Sequence, residues 1–201
     1  MMLNPYYETP LGKLYHGDCL EIMPELEPVD LVLTDPPYPD WFVDLYKYDA
    51  SKIKSLEKLS CKQLVFWSAD VDVDFIMSYT SRHVWNKNPS NRGAQYEFIY
   101  ERNGGKQRKV FSYYMINSTV AAKMTNDVFV DHPSQKPINL FKALVSEYKS
   151  EIVFDPFIGS GTTAVACERL KRRWIGIEIE EKYCEIAAKR IEQERKQLKM
   201  F

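Results

Sequence analysis

The chain has 201 residues, of which 45% are hydrophobic and 27% charged, and a formal net charge of −1 at pH 7. These values describe one water-soluble domain with a sizeable core and room for a small insertion. They exclude a globally basic nucleic-acid binder, so any such contact has to come from a local patch.

The four cysteines (Cys19, Cys61, Cys167 and Cys184) include no C-x-x-C pair. That speaks against a zinc site and against a disulfide framework, and it fits a reducing cytoplasm; no metal site is expected. The polar, proline-broken stretch Met1 to Pro10 has no apolar signal core. No apolar run approaches the ~20 residues that cross a bilayer.

Leu11 to His16 reads as a short strand, and Gly17-Asp18-Cys19 leads into a helical stretch from Leu20 to Leu26, with Asp18 placed as its N-cap. Val29 to Leu33 is an apolar, β-branched run that reads as a buried strand. Thr34-Asp35-Pro36-Pro37-Tyr38 ends it, because two prolines lack backbone donors and hold φ near −65°. By itself this is an ordinary strand exit. It also sets a carboxylate and an aromatic ring at a carboxyl strand end, where open α/β sheets bind ligands. Tyr38, Trp41, Phe42, Tyr46 and Tyr48 then make an aromatic loop that suits either core or base stacking.

Ser51 to Ser60 predicts a lysine-rich helix, Gln63 to Trp67 a second buried strand, Val71 to Thr80 a helix capped by Asp70, and His83 to Trp85 a strand start. The β/α alternation points to a largely parallel sheet. The rhythm changes from Asn86 to Val130. Gln95 to Tyr100 alternates at period two, Asn103-Gly104-Gly105 is a turn signal, and Val110 to Met115 reads as the returning strand of a hairpin. From Arg82 to Lys109 seven basic residues face two glutamates: Arg82, Lys87, Arg92, Arg102, Lys106, Arg108 and Lys109. Charge runs usually form a solvated face. With Tyr96, Tyr100, Phe111, Tyr113 and Tyr114 among them, these residues are candidates for phosphate and base contacts.

His132-Pro133-Ser134-Gln135-Lys136-Pro137 precedes a predicted helix from Ile138 to about Lys149, with Pro137 fitted to its first turn. Ile152 to Asp155 reads as a strand, followed by Pro156-Phe157-Ile158-Gly159-Ser160-Gly161-Thr162-Thr163 and a helix to about Lys171. Gly159, Gly161 and Ala164 satisfy G-x-G-x-x-[GA], which permits a tight turn and close backbone approach to a ligand. The next strand ends at Glu178, nineteen residues beyond Gly159 and near the ~20 expected of an acid that receives ribose hydroxyls. No Gly-Lys-[Ser/Thr] follows the glycines, so the loop is not a P-loop. Glu181 to Leu198 predicts a charged terminal helix with Tyr183, Ile186, Ala187 and Ile191 as its buried stripe. Two strands cannot make a buried parallel sheet alone, so this half should pack beside the strands ending at Asp35 and Trp67.

In this order the motifs resemble the β-group of amino DNA methyltransferases, where the catalytic motif precedes the cofactor motif. Asp35-Pro36-Pro37-Tyr38 matches the former. The stretch from Asp155 to Thr163 matches D-P-F-x-G-S-G-T-T, His132 to Pro137 matches H-P-x-Q-K-P, and Gly17-Asp18 matches the N-terminal G-D element. The resemblance implies one Rossmann-like α/β methyltransferase domain over residues 1–201, with permuted motifs and a short target-recognition hairpin at 86–131. It implies S-adenosylmethionine as cofactor, held by Asp18, Cys19, Asp35, Ser134, Lys136, Asp155, Phe157, Gly159, Ser160, Gly161, Thr162 and Glu178. Asp35, Pro36, Pro37 and Tyr38 would be catalytic on the N6 amino group of adenine in DNA.

The setting implied is the cytoplasm of a prokaryotic or phage-infected cell, and the short recognition segment leaves room for help from a homodimer or an accessory protein. Absence of a cysteine from the Asp35 loop argues against methylation at the cytosine ring carbon. Four alternatives stay open: the cytosine N4 amino group, a protein amide, a dinucleotide-dependent oxidoreductase built on the Gly159 loop, and a DNA-binding protein without activity. The oxidoreductase leaves the Asp35 and His132–Pro137 motifs unused.

Overall fold

The computed structural model describes residues 3–37, 39, 48–70, 73–88, 95–115, 119–124, 127, 129–130 and 135–198. Among these, β1 (Tyr7–Glu8), β2 (Gly12–His16), β3 (Leu31–Thr34), β4 (Lys62–Ser68), β5 (Ser81–Asn86), β6 (Tyr96–Arg102), β7 (Val110–Ser112), β8 (Ile152–Asp155) and β9 (Arg173–Glu178) form one sheet. Its order is β1-β2-β9-β8-β3-β4-β6-β5-β7. The strands β2, β9, β8, β3 and β4 are parallel, and β6 runs against both of its neighbours. The helices are α1 (Cys19–Ile22), α2 (Ala50–Ser55), α3 (Thr119–Met124), α4 (Ile138–Tyr148), α5 (Thr162–Leu170) and α6 (Glu181–Leu198). No helix among the described residues is long and apolar enough to cross a membrane.

All four residues of β3 are buried, as expected of a central strand covered on both faces. Side chains alternate across the sheet. Leu31, Leu33, Leu64, Phe66, Trp85 and Ile99 pack with α4, α5 and α6, whereas Val32, Val65, Trp67 and Tyr100 pack with α1 and α2. Phe66 stacks on Phe141 of α4 at 5.3 Å, which anchors that helix over β4. The strand after β3 lies on one side of it and those joined to β8 lie on the other. This is the switch point of a doubly wound sheet, where a ligand crevice opens at the carboxyl ends.

Three expectations are corrected. Residues 73–80 carry no helix; Phe75 stacks on Tyr100 at 4.1 Å and the backbone of Val73 accepts from Trp67 Nε1, so this apolar run covers the sheet as coil. The segment at 86–131 is not an appended hairpin, because β6 lies between β4 and β5 inside the main sheet. β7 does not return against β6 but pairs in parallel with β5, both edges of β6 being taken. The Asn103 turn is real: at φ 58° its side-chain amide donates to the carbonyl of Cys61 at 2.9 Å, tying the end of β6 to the start of β4.

Candidate active site

Asp155 ends β8 and is buried. Its Oδ1 accepts from the Thr34 hydroxyl at 2.6 Å and from the amide of Phe157 at 3.1 Å, and its Oδ2 accepts from the Thr163 hydroxyl. One carboxylate thus rivets the ends of β3 and β8 to the first turn of α5. Burial pushes its pKa up to about 7, against the pull of the two hydroxyls and the amide. Both oxygens are used inside the scaffold, which leaves this carboxylate little acceptor capacity for a ligand.

Asp35 follows β3 directly. Its Oδ2 accepts from Lys136 Nζ at 2.5 Å, while Oδ1 is buried and has no hydrogen-bond partner among the described residues. Lys136 precedes α4 and its Nζ also lies 3.6 Å from Glu97 Oε2 on β6. Glu97 Oε1 pairs in turn with Lys87 Nζ, at 2.6 Å. The rings of Phe66 and Trp85 wall the Lys136 ammonium at 5.7 and 5.9 Å.

Two carboxylates and two ammoniums therefore alternate in a nearly dry, neutral chain. Burial raises the Asp35 pKa above the ordinary carboxylate value; Lys136 opposes the rise and the Glu97 charge adds to it. At Glu97, burial is outweighed by Lys136 and Lys87, so that its pKa falls. Glu97, with two cations in reach, is the carboxylate that stays charged, and Asp35 is the one that takes a proton first.

The turn after β8 needs glycine twice: Gly159 has φ 51° and Gly161 φ 83°, both in the left-handed region. A Cβ at Gly161 would also lie 3.0 Å from that of Ala187 on α6. Glu178, at the end of β9, accepts the amides of Gly159 and Glu180, each at 2.9 Å. Its pKa is raised, first by burial. These two bonds use only part of the carboxylate's acceptor capacity.

Asp18 caps α1 through the amide of Leu20 at 2.9 Å and pairs with Lys52 at 2.8 Å. Its pKa is lowered: burial acts against that, and the Lys52 and Leu20 bonds prevail. Phe157 is half-buried beside the loop.

Other expected positions move. Cys19 buries its side chain in the core, where burial lifts its thiol to about 11. Ser160 and Thr162 turn their hydroxyls to Arg190 of α6, at 3.3 and 2.9 Å, and so hold the loop from beneath. Pro36 is buried and Pro37 half-buried. Tyr38, Trp41, Phe42, Tyr46, Arg92 and Ser134 lie outside the described residues.

The residues expected to contact nucleic acid do not form one patch among the described residues. Lys87 belongs to the buried chain beside Asp35. Arg102 pairs with Gln63 and Glu97 with Ser68, so Arg102 is five strand steps from Glu97 and the Asp35 edge, roughly 17 Å at ~3.3 Å per residue. Exposed Lys106 and Arg108 and half-buried Lys109 follow from that opposite edge, and Lys109 is bound to Glu147. Arg82 lies over the ring of Phe98 at 4.5 Å, on the sheet face away from Asp35.

Two groups at the site escaped the sequence reading. Glu97 looked like one polar position of an alternating strand. Arg190 pairs with Asp127 at 2.8 Å with both side chains buried. Helical spacing offers a signal for it: Arg190 and Glu194 share the buried side of α6 with Tyr183, Ala187 and Ile191, whereas Ile186 is only half-buried.

A doubly wound sheet whose switch point carries Asp35, with a glycine turn after β8 and an acid at the end of β9, is the Rossmann-like sheet of S-adenosylmethionine-dependent methyltransferases. More narrowly, the chain belongs to the N6/N4 DNA methylase family, whose model matches residues 48–189. It is an amino-group DNA methyltransferase of the β-group.

It is 27% identical to the type II methyltransferase M2.DpnII of Streptococcus pneumoniae, over 96% of this chain and 94% of that one. With the DNA adenine methyltransferase YhdJ of Escherichia coli it shares 26% identity, over 89% and 82%. The alignment to M2.DpnII runs over 253 positions, more than the 201 residues here, so the relative carries segments this chain lacks. Among solved structures, the complex of M1.HpyAVI with S-adenosylmethionine matches with a TM-score of 0.60 at 24% identity, over 90% of this chain and 99% of that one. The cytosine-N4-specific PvuII methyltransferase matches with a TM-score of 0.65 at 19% identity, over 92% and 88%.

Proposed function

We propose that this enzyme methylates the N6 amino group of adenine in DNA, with S-adenosylmethionine as donor. The observation that carries the reading is the Asp35 carboxylate at the switch point, one oxygen fixed by Lys136 and the other buried without a partner among the described residues. A buried unpaired acceptor costs about 1–3 kcal/mol, so the site favours a donor placed there. An exocyclic amino group is such a donor.

The residues present fit the cofactor. Asp35, Asp155 and Glu178 gather at the carboxyl ends of β3, β8 and β9, and burial raises all three pKa values. A cationic group relieves such a cluster, and the glycine turn leaves room for close approach. When bound, the cofactor supplies an electrophilic methyl on a sulfonium. Glu178 would receive ribose hydroxyls, Asp18 would lie at the adenine end, and Lys136 with the rest of its motif would meet the methionine end.

The amino nitrogen of the target base is a weak nucleophile because its lone pair is delocalised. Asp35 Oδ1 and the Pro36 carbonyl accept its hydrogens and turn the lone pair toward the methyl group, by positioning and preorganised charge. With the donor bound, the amino nitrogen would supply the pair for the new N–C bond while the C–S pair would remain on the departing sulfur, and Asp35 Oδ1 would accept the surplus proton along its hydrogen bond. Tyr38 would stack on the base, which has to leave the duplex to arrive.

Membership of the family sets aside the oxidoreductase and protein-amide readings. Aspartate rather than serine at position 35, together with the adenine activity named for YhdJ, supports adenine. The likeness to the PvuII enzyme favours cytosine N4 as the second reading. Labelled cofactor, unmethylated duplex DNA and nucleoside chromatography distinguish them: label in N6-methyladenine is expected, and label in N4-methylcytosine would overturn the base while keeping the chemistry.

A further inference from the structure

We infer that Glu97, steadied by Lys87, is a positioning residue for methyl transfer: it holds the far side of the Lys136 ammonium, so that Lys136 fixes one oxygen of Asp35 and the other stays aimed at the target amino group. The inference rests on the reading of Asp35 as the amino-group acceptor.

The four groups come from four elements. Asp35 follows β3, Lys87 follows β5, Glu97 lies on β6 and Lys136 precedes α4. The Lys136 and Glu97 side chains are each 7% exposed, so their charges meet little solvent screening. Lys136 Nζ sits between Asp35 Oδ2 at 2.5 Å and Glu97 Oε2 at 3.6 Å, and the Phe66 and Trp85 rings close the sides. Lys87 takes the other Glu97 oxygen at 2.6 Å and lies 5.6 Å from the Trp85 ring. Asp155, at the end of the neighbouring strand β8, is a further carboxylate close enough to feel the Asp35 charge.

Charge counting gives Glu97 its part. With it, two carboxylates balance two ammoniums. Without it, Lys136 and Lys87 both face Asp35, leaving one uncompensated positive charge in a nearly dry pocket. Lys136 would then draw fully onto Asp35, weakening the acceptor, and nothing would fix its direction. Among the described residues Glu97 Oε2 has no hydrogen-bond partner and makes a longer contact to Lys136. That arrangement costs stability, so the group is poorly explained as a brace alone. The lone-pair direction of Asp35 Oδ1 is thereby set by a residue two strands away from it.

The test is Glu97→Gln in the full chain, assayed with labelled S-adenosylmethionine and unmethylated duplex DNA across pH. The expected kcat falls roughly 10- to 100-fold, as for a misplaced reacting group, while KM for the cofactor stays within about twofold. The acidic limb of the pH–rate profile should move to lower pH, because the Glu97 charge no longer holds up the Asp35 pKa. Adding Lys87→Met restores the charge balance and should return both kcat and the limb toward the parent.

A purely structural role predicts a lower melting temperature with the limb unmoved, and that result overturns the inference, as does an unchanged kcat. A double variant no better than the single one overturns it too. Near-normal activity in Asp35→Ala would instead bring down the acceptor reading and this inference with it. An intact Asp35 requirement with an unmoved limb removes Glu97 alone.

Discussion

Replacing Arg190 by alanine tests whether the cofactor loop is held from below. The guanidinium is 2% exposed and donates to Asp127 Oδ1 at 2.8 Å, Thr162 Oγ1 at 2.9 Å, and the Ser160 carbonyl and hydroxyl at 3.2 and 3.3 Å. Asp127 is 1% exposed and also accepts the amide of Ile138 at the start of α4. Removing the arginine takes away that carboxylate's buried counter-charge, and breaking one side of a buried pair costs about 3–5 kcal/mol. A domain stabilised by about 5–15 kcal/mol would lose a large fraction of its margin.

Urea titration reads this as a lower midpoint at unchanged slope. Cofactor affinity, read by calorimetry on the folded fraction, should weaken roughly tenfold, since Ser160 and Thr162 lose their tether. Arg190→Met with Asp127→Leu should recover part of the loss, because an apolar pair can replace a buried ion pair. A single-variant cost below about 1 kcal/mol with unchanged affinity would refute the reasoning.

Asp35→Ala should bind cofactor within about twofold yet lose methyl transfer by roughly 10²–10³, as when a preorganised polar group is removed from a reaction centre. In the parent, activity should fall as pH drops through a pKa above the ordinary carboxylate value, since Asp35 must be ionised to accept; an acidic limb at the usual carboxylate value would contradict this. Asp155 makes the opposite kind of statement about stability. Its pKa is about 7 when folded, well above the ordinary carboxylate value of the unfolded chain, so the folded state binds the extra proton. The stability it contributes is fully present below the unfolded value and is lost as pH rises through the folded one. Melting curves of Asp155→Asn should show a flatter decline over that window than the parent, and an unchanged decline would dismiss the assignment. Arg102→Gln, Lys106→Gln and Arg108→Gln combined should leave the salt dependence of DNA binding nearly unchanged. Three real phosphate contacts would lower its log–log slope by about 3.

Much of the architecture was legible because its signals are local. The apolar run before Asp35, the glycine turn before Thr162 and the carboxylate at the end of the next strand each follow from residue type and spacing. Their order along the chain required the Asp155 half to join the Asp35 half, and β8 does lie against β3. The terminal helix runs over the span its pattern predicts, Glu181–Leu198.

Other features depended on which strands became neighbours. The turn at Asn103 announced a hairpin, but a turn signal carries no information about the partner of a strand whose two edges are both taken. Seven basic residues between Arg82 and Lys109 read as one patch, because charge in sequence has no direction in space. The antiparallel insertion of β6 between β4 and β5 brings Glu97 and Lys87 to the Asp35 edge and sends Arg102 to the opposite one.

Period-two alternation determines that residues on a strand share a face; it does not determine which end of the sheet they reach. Sequence alone determined that Asp35 follows a buried strand, that a glycine turn follows β8 and that an acid ends β9. Only the tertiary structure decided that Lys136 lies between Asp35 and Glu97, and that Arg190 supports the loop, because long-range pairing is set by packing and not by spacing along the chain.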